Sequence, residues 1–197
     1  MDLGLILGII NGGGGMSFSD VTSSDWFFED VAAAYQLGLM NGVSAYEFAP
    51  KAPLSRAMVA ALLYRMAGSP AAYYGGRQFT DVADGKWYSS AIRWASQMGI
   101  VTGFQDGSFR PNENVTRVQL AAMLFRFAQH QSRDIRARGD LNSYQDGSSV
   151  QAWAKEAMQW AVAKGLISGK SGARLDPSGS ATRAEAATVL VRFLRQS

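Results

Sequence analysis

Cysteine is absent from the 197 residues, and histidine occurs once, at His130. The first absence excludes a disulfide scaffold, a thiolate metal site and a cysteine nucleophile. The second excludes a two-histidine metal motif and leaves few routes to acid–base catalysis near neutral pH. Charged residues are sparse too, at 18% against 47% hydrophobic. That balance suits a packed core and not a disordered chain. Nineteen basic and 16 acidic side chains leave a net charge of +3, too small a surplus to argue for nucleic acid, which needs a concentrated basic face. No cofactor, metal or nucleic-acid partner is expected, and binding functions stand ahead of enzymatic ones.

No long hydrophobic run is present either. The most apolar stretch is Met1–Ile10, followed by Asn11 and four glycines, Gly12 to Gly15. It is too short for a bilayer-spanning helix, which needs ~20 residues. Asp2 stands where a signal peptide carries basic residues, and no small-residue cleavage site follows. Three readings of residues 1–16 stay open: an expression tag with a glycine linker, the tail of an upstream domain, or an adhesive strand. The last would give self-association through residues 1–15.

What the rest of the chain has is one pattern written three times. Phe18-Ser19-Asp20-Val21 recurs as Phe79-Thr80-Asp81-Val82 and, more loosely, as Tyr144-Gln145-Asp146-Gly147. Trp26 is matched by Trp87 and Trp153, Gly42 by Gly103 and Gly169, and Phe48 by Phe109 and Leu175. Pro50 is matched by Pro111 and Pro177, and Arg56 by Arg117 and Arg183. The Trp, Gly, Phe, Pro and Arg landmarks step by 61 residues (26 to 87) and then by 66 (87 to 153). A fixed period of this kind marks tandem structural units, here residues 17–68, 78–129 and 143–195.

Each unit reads as helix, turn-rich loop, helix. Between Trp87 and Met98 the apolar residues Ala91, Trp94, Ala95 and Met98 fall at helical spacing. Gly38, Gly99 and Gly165 then supply C-terminal caps. The loop Phe104 to Pro111 carries turn signals around a buried aromatic. A second helix opens at Ser55, Thr116 or Thr182 and bears a one-sided apolar stripe. Units of about 50 residues bury too little alone, so the three are expected to share a core.

The start of the second helix is the most informative point. Thr116 with Gln119, and Thr182 with Glu185, fit a capping box that satisfies orphan amides without any ligand. The arginine between them is not explained in that way. A cation in the first helical turn opposes the helix dipole at a cost of ~0.3–1 kcal/mol, yet Arg56, Arg117 and Arg183 all occupy it. A helix N-terminus with a guanidinium fork suits a carboxylate or phosphate; a purely structural arginine is the alternative. On the ligand reading, Arg183→Ala weakens binding and leaves thermal stability almost unchanged. Motif completeness would also rank the sites, with that of Arg183 strongest and that of Arg56, whose partner position holds Met58, weakest.

Trp26, Trp87 and Trp153, with Asp20, Asp81 and Asp146 just upstream, admit two readings. They are core side chains at helix starts, or they offer the apolar face and polar forks that a sugar ring requires. One aspartate per repeat argues against the asymmetric acid pair of a glycosidase. Arg138-Gly139-Asp140 spells an adhesion tripeptide, but in a connector that also holds Arg133 and Arg136 it reads as a solvated basic loop.

The triple pattern of Phe-x-Asp-Val, Trp, Gly, Phe-x-Pro and Thr-Arg-x-Glu resembles the S-layer homology (SLH) module, over residues 18–194. The resemblance implies an all-α, mainly helical fold: three helix–loop–helix repeats in a pseudo-threefold assembly around a shared central bundle. It further implies inter-repeat grooves that bind bacterial secondary cell-wall polysaccharide, often bearing pyruvate ketals whose carboxylate meets the motif arginine. Carried over, that residue is Arg56, Arg117 or Arg183, and the motif glycine is Gly42, Gly103 or Gly169. The first copy departs from the pattern in having Met58 for the acid, the second in having Gln119, and the third in having Gly147 for valine.

The leading function is thus a non-enzymatic, extracellular anchor on the bacterial cell wall or S-layer. Ligand-binding residues are expected among Arg56, Arg117, Arg183, the three glycines, the three tryptophans, the three aspartates, Gln119 and Glu185. The alternative is a structural protein that self-assembles into a surface lattice or filament, and the third class is an enzyme acting on wall glycan.

Overall fold

The structure, a computed structural model, describes residues 15–71 and 78–196. The apolar stretch Met1–Ile10 and almost all of the expected self-association segment lie outside the described residues. Six α-helices are present among the described residues: α1 Phe28–Gln36, α2 Arg56–Met66, α3 Ser89–Gln97, α4 Arg117–His130, α5 Ala152–Ala163 and α6 Arg183–Arg195. Two short 3₁₀ turns, Leu141–Ser143 and Gly147–Ser149, precede α5. Extended pairing among the described residues is limited to isolated bridges such as Ser55 with Asn114 and Thr116 with Ser180. The fold is mainly helical.

The described residues fall into two compact units, and these do not coincide with the sequence repeats. One unit draws on Met1–Pro53 and Ala181–Ser197, the other on Leu54–Ser180. In the first, α1 packs on α6, burying Val31, Ala33 and Ala34 with Ala186, Ala187, Leu190 and Phe193. Asp30 at the start of α1 pairs with Arg195 at the end of α6, Oδ1 to Nη1, at 3.0 Å. In the second unit α2 packs on α3 and α4 on α5. Tyr64 meets Trp94 with ring centroids 5.5 Å apart, and Phe125 meets Trp160 edge-on at 5.5 Å. The second helix of a repeat therefore packs on the first helix of another, because each one-sided stripe needs an apolar partner that its own repeat does not supply.

The helix ends follow the local chemistry. Ser55, Thr116 and Thr182 cap α2, α4 and α6, their hydroxyls accepting the N–H of Met58, Gln119 and Glu185 at 3.2 Å each. Gln119 and Glu185 accept in return from the cap amides at 3.1 and 2.9 Å. Met58 has no acceptor to offer, so α2 keeps only half of the box. Gly38, Gly99 and Gly165 follow α1, α3 and α5 at φ of 66°, 68° and 62°, the left-handed position that a helix C-cap favours. The helix expected from Trp87 begins at Ser89 instead. Ser89 Oγ donates to Ala83 O at 2.7 Å and accepts from Lys86 N at 3.0 Å, which locks a turn ahead of the helix.

The tripeptide at 138–140 is folded into its own unit. Arg138 pairs with Glu156, Gly139 N donates to Gln159 O at 2.8 Å, and Asp140 caps the first 3₁₀ turn through Asn142 N at 2.9 Å. Arg136 is paired with Asp134 at 2.9 Å. The connector is thus bonded to α5 through Arg138 and Gly139, while Arg136 stays exposed beside Asp134.

Candidate functional site

The repeated aspartate folds the loop of its own repeat. Asp81 Oδ1 accepts Phe109 N–H and Oδ2 accepts Arg110 N–H, both at 2.7 Å. Asp20 does the same for Phe48 and Ala49, at 2.8 and 2.7 Å, and Asp146 for Leu175 and Asp176, at 2.7 and 2.8 Å. The second residue of each pair is left-handed, with φ of 57° at Ala49, 60° at Arg110 and 51° at Asp176. That conformation costs of order 1–3 kcal/mol and is held by the two bonds to the aspartate. It turns Phe48, Phe109 and Leu175 into full burial. At Asp146 desolvation pushes the carboxyl up, but the amides of Leu175 and Asp176 outweigh it and hold it below its ordinary value.

The repeated arginine grips the same loop from another repeat. Arg56 Nε donates to Phe109 O at 2.8 Å and Nη2 to Thr102 O at 3.4 Å. Arg117 donates to Leu175 O at 2.7 Å and Ser168 O at 2.8 Å, and Arg183 to Phe48 O at 2.7 Å and Asn41 O at 2.6 Å. In each case the second carbonyl belongs to the residue before the motif glycine. That glycine has no room for a side chain: a Cβ on Gly103 would meet the Phe79 ring and come within 2.6 Å of Ser108 O, and one on Gly42 within 2.7 Å of Glu47 O. At Gly169 it would come within 2.8 Å of Tyr144.

The arginines therefore do the structural work that the sequence left open as the alternative to a ligand role. They do not wait exposed in the first turn for an anion; they are 6%, 6% and 9% exposed and reach away from their own helices to backbone carbonyls. Burial pushes the Arg56 guanidinium down, with Glu113 opposing, and that of Arg183 down, with Asp20 opposing. Both stay charged, as arginine does in proteins. Removing one therefore orphans two carbonyls, and the expectation of unchanged stability does not stand. Arg56 shares its cleft with Gln119 of the next repeat, so the box partner that stands beside a motif arginine comes from another repeat than its own.

Within the unit spanning Leu54–Ser180 a cleft of about 170 Å³ opens over this scaffold. Arg56 and the loop Val101–Phe104 form one wall, α4 presents Gln119, Ala122, Met123 and Arg126, and Trp153 closes it. The α4 residues fall at i, i+3, i+4 and i+7, one helical face. Of the residues expected at the site, the cleft unites Arg56, Gly103, Gln119 and Trp153; Asp81, Trp87, Arg117, Asp146 and Gly169, in the same unit, do not line it. Trp26, Trp87 and Trp153 are 65%, 63% and 53% exposed, so the core reading of these side chains falls. Trp26 and Trp87 stand edge-on to Phe27 and Tyr88 at 5.2 Å.

Sequence reasoning missed Thr102, Phe104, Met123 and Arg126. The signal for Arg126 was there: Arg65, Arg126 and Arg192 each follow the motif arginine by nine residues. Among the described residues no group of three or more His, Asp or Glu side chains could hold a metal ion. None of the described helices is long and apolar enough to cross a membrane.

Comparison with known proteins accounts for the threefold pattern. The S-layer homology domain model matches residues 17–58, 78–121 and 143–187. Similar proteins include an endoglucanase of Bacillus sp. (strain KSM-635), 31% identical over 90% of this chain and 18% of that protein. The surface-layer 125 kDa protein of Lysinibacillus sphaericus is 30% identical over 84% of this chain and 14% of its own length. The cellulosome-anchoring protein of Acetivibrio thermocellus is 25% identical over 80% of this chain and 35% of its own. The chain thus spans about a third or less of these relatives. With three matches covering most of its length, it belongs to the S-layer homology domain family.

Proposed function

We propose that this chain holds an exported protein on the bacterial cell wall by binding an anionic secondary wall polysaccharide, of the pyruvate-ketal kind, in the cleft of the Leu54–Ser180 unit. Anchoring at the cell surface is the coarse role that family membership supplies; the ligand and its place are the proposal. The observation that carries it is the cleft's lining: two arginines, no carboxylate and an exposed indole. Such a site offers positive charge for a carboxylate and an apolar face for the C–H side of a sugar ring. Gly103 lets the loop pack closely on the Phe79 ring beneath it, and Gln119 lines the cleft with its side-chain amide. Arg117, Gly169 and Trp87 in this unit, and Arg183, Gly42, Glu185 and Trp26 in the other, are proposed as further ligand contacts, while the three aspartates shape the loops beneath.

The endoglucanase relative is named for a whole protein of which this chain covers 18%, and the role proposed for the chain is that of a binding module. The experiment is calorimetric titration with purified wall polysaccharide before and after mild acid removal of its ketals. The proposal expects micromolar-class binding that weakens with salt and collapses on ketal removal. Equal affinity for both preparations would contradict it.

A further inference from the structure

The cleft has two guanidiniums, and the structure gives them different employment. Arg56 commits Nε and Nη2 to Phe109 O and Thr102 O, and its guanidinium carbon lies over the rings of Phe109 and Phe104 at 4.6 and 4.9 Å. It is built into the wall. Gln119 Oε1 is committed to the α4 cap at 3.1 Å. Arg126 sits two turns further along the same face of α4, ~10 Å from Gln119 by helical rise. Among the described residues its side chain makes no hydrogen bond and no ion pair, and it is half-buried. Burial pushes its guanidinium down with no opposing charge to offset it. A half-buried cation left without a counter-charge is unfavourable until an anion arrives.

We infer that Arg126 is the residue that holds the ligand's carboxylate in this cleft, and that Arg56 is a positioning residue that fixes the loop behind it. This rests on the anionic-polysaccharide reading and reassigns the contact that the family resemblance gave to the motif arginine. A planar guanidinium with every donor free can meet a carboxylate through two parallel bonds along either edge, whereas Arg56 has turned its Nε–Nη2 edge to Phe109 O and Thr102 O and keeps only Nη1 and the second Nη2 hydrogen. The ligand fitting this division is a sugar whose ring lies by Trp153 and Gly103 and whose acid group extends along α4 toward Arg126.

The test uses the full chain and a local reporter, the Trp153 indole N–H resonance, identified by its loss in Trp153→Phe. The probes are a methyl hexoside bearing a pyruvate ketal and its methyl ester, in which the charge is removed. In the wild-type chain the acid should shift this resonance with at least about tenfold higher affinity than the ester. Arg126→Gln should bring the acid close to the ester's affinity within that variant, with the remaining indole signals and the melting temperature unchanged. An acid-to-ester ratio undiminished in Arg126→Gln would overturn the inference and leave the anionic reading intact. Absence of any preference for the acid in the wild-type chain would overturn both.

Discussion

Asp81 and Arg56 hold the two ends of one residue: the Phe109 N–H goes to Asp81 Oδ1 at 2.7 Å, and the Phe109 carbonyl to Arg56 Nε at 2.8 Å. The aspartate comes from the residue's own repeat and the arginine from the one before. The same grip is placed on Leu175 by Asp146 and Arg117, and on Phe48 by Asp20 and Arg183. Residues that look like ligand groups in the sequence thus first serve to fasten repeats together.

Arg56→Ala should destabilise the fold by about 2–3 kcal/mol, because charge-assisted bonds are lost and buried Phe109 O is left without a donor. Arg183→Ala should behave alike. Chemical denaturation of the full chain measures this; a loss under about 0.5 kcal/mol, the range of ordinary surface changes, would return the arginines to a purely ligand-facing role.

Gly103→Ala should cost about 1–3 kcal/mol, since the added methyl meets the Phe79 ring and Ser108 O and the loop must move. The same denaturation experiment applies, and an unchanged midpoint would show that the loop yields freely.

Trp153→Ala should leave the melting temperature within error, as the side chain is mostly exposed. It should weaken polysaccharide binding by about 1–2 kcal/mol, the range for a contacting aromatic. Calorimetry separates the two effects.

Acid should loosen the third loop. The Asp146 carboxyl is held below its ordinary value in the folded chain, so its contribution is complete above about pH 4, the unfolded carboxyl value. It is lost as pH falls through the lower, folded value. Stability followed from pH 7 to pH 2 should therefore fall at the acid end, and Asp146→Asn should be less stable at pH 7 and show a shallower acid decline. An identical acid slope in the variant would remove Asp146 from the account.

Much of this was legible in the sequence. Periodicity located the helices, and the Thr-x-x-Gln and Thr-x-x-Glu spacing gave the capping boxes of α4 and α6, because both are governed by contacts within a few residues. The destinations of Arg56 and Asp81 were not legible. Both reach partners 28 to 53 residues away, and nothing in local spacing says whether a guanidinium meets a carbonyl or a ligand. The helix dipole does not bear on Arg56 as its position suggests, since the side chain leaves its own helix end. Arg126 was overlooked because a polar residue on an apolar stripe looks like a solvent-facing position until Trp153 and the loop at Gly103 enclose it.

The most direct measurement is co-sedimentation of the chain with bacterial wall sacculi before and after chemical release of the secondary polysaccharide. The account predicts that the chain pellets with intact sacculi, that release of the polysaccharide leaves it in the supernatant, and that Arg126→Gln pellets less while remaining folded. Undiminished pelleting on stripped sacculi would contradict it.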